Sequence, residues 1–190
     1  MAFEARNLAG LLLFLGAVQF AIGLMIAAAL TPNYSIANDT ISSLGVREGA
    51  LVFNVSIIIL GLLVLGAAYF VRSVFGSLVA TLLIAIAGVG VIGVGVFPAS
   101  DPLSGIHSIF SLITFVFINV AAIYVARFLL TPFLHLSIIL GVIGLVAMGL
   151  FLSGNYLGLG LGGMERMIVL PVLAWALALG GYLMAGDASK

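Results

Sequence analysis

Long apolar stretches alternate along the chain with short breaks that hold nearly all of its polar residues. Six such stretches stand out: Leu8–Leu30, Gly49–Val71, Phe75–Phe97, Pro102–Ala126, Pro132–Ser153 and Glu165–Ala185. Each reaches the roughly 20 residues that a helix needs to cross a bilayer. A helix satisfies every backbone group internally, which hydrocarbon demands. The pattern therefore predicts an all-α integral membrane protein of six transmembrane helices, one domain over residues 1–190, with no separate soluble part. The breaks carry helix-start chemistry. "DPLS" sets Asp101 as a cap before Pro102, and "TP" sets Thr131 before Pro132. "NDTISSLG" places Asn38 or Asp39 as the cap of a short helix lying at the membrane interface.

Composition agrees. Hydrophobic residues make up 64% and charged residues 6%, with a mean hydropathy of +1.42. A soluble domain carries roughly 25% charged residues. The net charge is zero, so there is no basic face for nucleic acid. The chain has no cysteine, which removes disulfides, thiol catalysis and cysteine-ligated metals. Glu4 and Arg6 cancel ahead of a full-length apolar run, so the first stretch reads as a retained span rather than a cleaved signal.

Lysine and arginine set the expected orientation. With the N-terminus inside, Arg6, Arg72, Arg127 and Lys190 fall at inner ends, and Arg47 and Arg166 at outer ends. Both termini are then cytoplasmic. The outer side gathers Asp39, Ser42, Ser43, Arg47, Glu48, Asp101, His107, Asn155, Glu165 and Arg166. Helix capping accounts for isolated charges on the inner side. It accounts less well for Glu165, Arg166 and His107, which sit at or just inside span ends.

Two G-x-G-x-x-G patterns occur. Gly88, Gly90 and Gly93 lie within the third span, where small residues let helices approach in lipid. Gly158, Gly160 and Gly163 precede the sixth span. Neither sits in a βαβ unit, so neither is a dinucleotide site. The second pattern still frees backbone N–H groups at a helix start, which favours anions. Arg166 adds a bidentate partner. An anionic lipid headgroup held by Arg166, Glu165, Gly160 and Gly163, with His107, Asp39 and Ser42 lining the cavity, is the leading expectation. The alternative is a plain turn with Arg166 paired to Glu165 or Asp39. If the two neighbours pair with each other, Glu165→Ala alone harms folding more than the double alanine variant.

His107, Ser111 and Thr114 share one face of the fourth span. His107 with Asp39 and Ser43 or Ser42 is the candidate catalytic set for a lipid hydrolase or transferase. One histidine among carboxylates is a poor metal signature, so no metal and no cofactor are expected. Gln19, Asn54, Ser56 and Asn119 are the polar residues within spans, and they read as interhelical hydrogen bonders. No span carries an acid or lysine near its middle, which argues against an ion-coupled transporter. Pro171 predicts a kink one turn past Arg166.

"YSIANDTISSLG" (residues 34–45), Asn54, "FPASDPLSGIHSIFSLI" (residues 97–113) and "GMERMIVLP" (residues 163–171) resemble the six-span prokaryotic membrane proteins grouped as domain of unknown function 998. The order and spacing of these motifs fit over nearly the whole chain. The resemblance implies six helices in a prokaryotic cell membrane with a polar cluster on one face, and implies no activity. More distantly the pattern is similar to the Frag1/DRAM/Sfk1 proteins, which are connected with lipid handling. It lacks the H-x-x-x-H pair and the seventh span of the alkaline ceramidase-like hydrolases. The expected partners are membrane lipids, and as a further alternative the chain is an accessory subunit bound to another membrane protein.

Overall fold

The structure is a computed structural model that describes residues 2–100 and 102–185. Asp101 and Lys190, named above as a cap and an inner charge, lie outside the described residues. Six long helices account for the apolar stretches: α1 (Ala2–Ala29), α2 (Ala50–Phe75), α3 (Leu78–Val96), α4 (Ser104–Val125), α5 (Phe133–Leu152) and α6 (Gly160–Ala185). All six are long and apolar enough to cross a membrane. The described residues contain no strand. Large apolar side chains such as Leu51, Leu62, Ile109 and Val146 point outward. A soluble protein would bury such a surface, whereas a bilayer solvates it.

Each helix packs against its neighbours in sequence, and α6 returns to pack against α1, so the bundle is a closed ring of antiparallel neighbours. Small residues set the close contacts in lipid. The backbones of α1 and α6 meet at Gly10 and Gly180, and those of α2 and α3 at Gly61 and Gly88. Gly90 and Gly93 abut Thr114 and Phe110 of α4. Polar pairs add direction. The amide nitrogen of Gln19 donates to the Ser56 carbonyl at 2.9 Å, joining α1 to α2. The Trp175 indole donates to the Ser137 hydroxyl at 2.7 Å, and that hydroxyl donates to the Ala122 carbonyl at 2.6 Å. One buried serine thereby ties α4, α5 and α6 together. Ser56 and Asn119, expected to bond between helices, donate instead to carbonyls of their own helices, Phe53 and Phe115. Short side chains reach the preceding turn more readily than a neighbouring helix.

Three helix starts differ from expectation. Helix α5 begins at Phe133 with Pro132 at the cap position and no side-chain cap bond, so Thr131 does not cap it. Helix α4 begins at Ser104, with Leu103 at the cap position and no side-chain cap bond. Helix α6 begins at Gly160 rather than Glu165, so Gly160 and Gly163 lie in its first turn, whereas Gly158 stays in the turn before it. The segment 30–49 includes only one short 3-10 helix, Ser42–Val46, without a side-chain cap. Asp39 is drawn elsewhere, as described next.

Candidate functional site

The longest connection, residues 30–49, folds over one end of the bundle, called here the loop end. Starts of α2, α4 and α6 gather there because the helices alternate in direction. Thr31, Asp39 and Arg47 shape the connection. The Asp39 carboxylate accepts the Ser35 N–H at 2.7 Å and meets the Arg47 guanidinium at 3.3 Å. Arg47 also donates to the Pro32 carbonyl at 2.7 Å. The Thr31 hydroxyl donates to the Ala27 carbonyl at 2.8 Å and accepts the Gly49 N–H at 3.2 Å. These local bonds engage the Asp39 carboxylate within the loop instead of at a helix start.

The first turn of α6 presses against this loop. The N–H groups of Gly162 and Gly163 donate to the Ala37 carbonyl at 2.9 and 3.2 Å. A Cβ at Gly160 would overlap the Ala37 carbonyl oxygen, and one at Gly162 would overlap that of Asp39. Gly160 also holds φ +76°, open to glycine at little cost. The helix start is thus filled by the chain's own carbonyls. The Ala37 carbonyl accepts two of the N–H groups that a helix start leaves unpaired.

Arg166 fastens the same loop. One guanidinium nitrogen donates to the carbonyls of Ile36 at 2.8 Å, Gly162 at 2.8 Å and Asp39 at 3.2 Å. The other donates to the Tyr34 hydroxyl, and the guanidinium lies 5.5 Å from the Tyr34 ring centroid. Burial pushes the Tyr34 phenol up from its ordinary range, against the opposing pull of Arg166. Arg166 therefore contacts the backbone of Asp39, not its carboxylate.

Glu165 turns away from Arg166, as consecutive helical residues must. Among the described residues the two form no ion pair. Glu165 is buried. Its carboxylate accepts the Ile41 N–H and, at 3.2 Å, the Ser42 hydroxyl. It thus holds the segment just before the 3-10 helix from beneath. The contacts of Tyr34 and Ile41 carried no signal in the sequence, because each reaches more than a hundred residues along the chain.

His107 is buried, and its Nδ1 bonds the Phe97 carbonyl at 2.8 Å. A carbonyl only accepts, so Nδ1 carries the proton. Nε2 has no hydrogen-bond partner among the described residues. The Ser43 hydroxyl donates to the Thr40 carbonyl at 2.7 Å. Serine, histidine and aspartate of the expected catalytic set each bond to a different group, so the structure does not assemble them into a relay. No group of three histidine, aspartate or glutamate side chains among the described residues is placed to hold a metal.

Beneath Glu165 the ring surrounds a partly open cavity of about 100 Å³. Phe20, Phe53, Ile57, Val91, Phe115, Val172 and Leu173 are among its walls, and Ser42, Ser111, Thr114 and Glu165 are its polar lining groups. Glu165 is the one ionisable side chain in that lining. From Glu165 to Ala176 the cavity follows α6 for eleven residues, about 16 Å at 1.5 Å per residue. His107 lies one turn from Ser111 on the same face of α4 but outside the lining.

A closed ring of six apolar helices, with a polar strap over one end and an apolar cavity ended by a buried carboxylate, defines an integral membrane protein. The family model described as "Protein of unknown function (DUF998)" matches residues 14–182, and the chain belongs to that family. No curated protein and no solved structure matches it.

Proposed function

We propose that this protein binds an apolar or amphipathic molecule of the bilayer in its central cavity. The observation that carries the reading is the shape and lining of that cavity: apolar walls from five of the six helices, with polar groups gathered toward the loop end. Ligand sites are concave and mostly apolar, with few convergent polar groups. The distant resemblance to Frag1/DRAM/Sfk1 proteins points toward lipid handling as well. The headgroup cradle expected at Arg166 and the glycines gives way to the cavity, because their donors are engaged by the loop. Separate bonding of Ser43, His107 and Asp39 favours binding over a hydrolase or transferase. Arg6, Arg72 and Arg127 lie at the end opposite the strap, which favours a cytoplasmic position for that end.

Val91→Phe and Val172→Phe each fill the cavity without adding a polar group. Wild-type protein extracted in native lipid should retain one class of hydrophobic molecule in near-equal amount, identified by mass spectrometry. Both variants should lose it while keeping the wild-type elution volume. Identical lipid content in all three proteins would sink the proposal.

A further inference from the structure

Arg166 uses its donors on the strap, whereas two arginines at the opposite end of the bundle leave most of theirs open. Arg72 lies in the last turn of α2, and Arg127 lies just past α4 in the short 3-10 helix Ala126–Phe128. Both are exposed. A guanidinium carries five N–H donors. Arg72 directs one nitrogen to the Gly76 carbonyl at 2.7 Å. Arg127 lies over the Tyr124 ring, 4.1 Å from its centroid, and donates no hydrogen bond to the described residues. Neither forms an ion pair among the described residues, where Glu4 on α1 is the one acid of that end. Open guanidinium donors are met by water or by an anion, and the anion present at a membrane surface is a lipid phosphate.

The two arginines belong to one patch. The turn between α2 and α3 lies against the end of α4. The Phe75 and Phe128 rings stack there with centroids 5.1 Å apart, and the Ser77 and Tyr124 hydroxyls are 3.4 Å apart. Arg72 grips this turn at Gly76, the residue before Ser77, and Arg127 covers Tyr124. Side chains that face lipid flank both charges: Leu78 and Leu130 are exposed, as is Tyr69, one turn before Arg72 on α2. A single arginine at a helix C-terminus is ordinary, because the macrodipole favours it. Two on joined turns, with open donors above an apolar surface, fit a phosphate that carries hydrocarbon chains. We propose that Arg72 and Arg127 together bind the phosphate of one anionic phospholipid, whose acyl chains lie against Leu78 and Leu130. The cavity plays no part in this site, so the proposal is independent of the cavity-binding reading above.

The test presents the full chain in detergent with equal amounts of phosphatidylglycerol and phosphatidylcholine bearing the same acyl chains. Native mass spectrometry counts the lipid retained. Wild-type protein should hold one phosphatidylglycerol per chain in preference to phosphatidylcholine. Each arginine near an anionic headgroup is worth about fivefold in affinity. Arg72→Gln and Arg127→Gln should therefore each lower the preference about fivefold, and the double variant about twenty-fivefold. A phosphatidylglycerol with a photoreactive headgroup should label wild-type protein within residues 69–78 and 124–130. Equal retention of the two lipids by wild-type protein overturns the proposal. So does a preference that survives in the double variant, or one spread over several lipids per chain. Labelling centred elsewhere, on the strap for example, overturns it as well. The labelling needs no variant, so the proposal is decided even if the glutamine variants do not fold.

Discussion

The carbonyl oxygen of Ala37 lies 2.9 Å from the backbone nitrogen of Gly162, across 125 residues of chain. This contact requires two backbones to touch without a side chain between them. Gly162→Ala puts a methyl group into the Asp39 carbonyl. Overpacking of this kind costs about 1–3 kcal/mol. Gly181, on the same helix, has open space around it. Gly181→Ala should be neutral or stabilise by up to about 1 kcal/mol through helix propensity. Thermal unfolding in detergent should therefore move in opposite directions for the two alanines. A matched shift would show that the helix, and not the loop contact, sets the response.

Glu165 and Arg166 hold the strap by different bonds. Glu165→Ala removes the acceptor of the Ile41 N–H and one partner of the Ser42 hydroxyl, and Arg166→Ala removes a donor from three carbonyls and from the Tyr34 hydroxyl, which keeps its own bond to the Thr40 carbonyl. Loss of a buried partner costs about 1–3 kcal/mol. The double variant should be at least as unstable as the worse single variant. A double variant more stable than Glu165→Ala would reveal a direct pair between the two side chains.

Tyr34 makes the strap sensitive to alkali. Burial raises its phenol above the ordinary value of 10.0, so the folded state keeps that proton longer than the unfolded state does. Its contribution is complete below about pH 10 and is lost as pH rises through the raised value. Tyr34→Phe should lower stability by about 1 kcal/mol at neutral pH, through the lost bond to Arg166. It should also flatten the fall in unfolding temperature between about pH 9 and 11. Parallel pH profiles for the two proteins would assign the alkaline loss to other groups.

The six helices were legible because the signal is local: each apolar stretch had to satisfy its own backbone in hydrocarbon. Membership in the family was legible from "NDTISSLG", "FPASDPLSGIHSIF" and "GMERM" for a related reason, since short motifs keep their order. The strap was not. "GLGLGG" reads as an anion cradle when its partner is unknown, and the partner is the Ala37 carbonyl, far away in sequence. "ER" reads as an ion pair when written in a line. A helical turn of about 100° per residue sends Glu165 inward and Arg166 toward the loop. Of the cavity, Glu165 and Ser42 were legible as lining residues, and its apolar walls were not. The cavity is a space between five helices, and no single stretch records it.

The return of α6 onto α1 has a consequence for the order of synthesis. Helix α6 brings Glu165, Val169, Val172, Leu173 and Ala176 to the cavity, and its first turn anchors the strap. Until that segment emerges from the ribosome, the residues that α1, α2, α3 and α4 bring to the cavity lack the wall that α6 supplies. Arrival of α6 then completes the cavity wall and fastens the strap in one event.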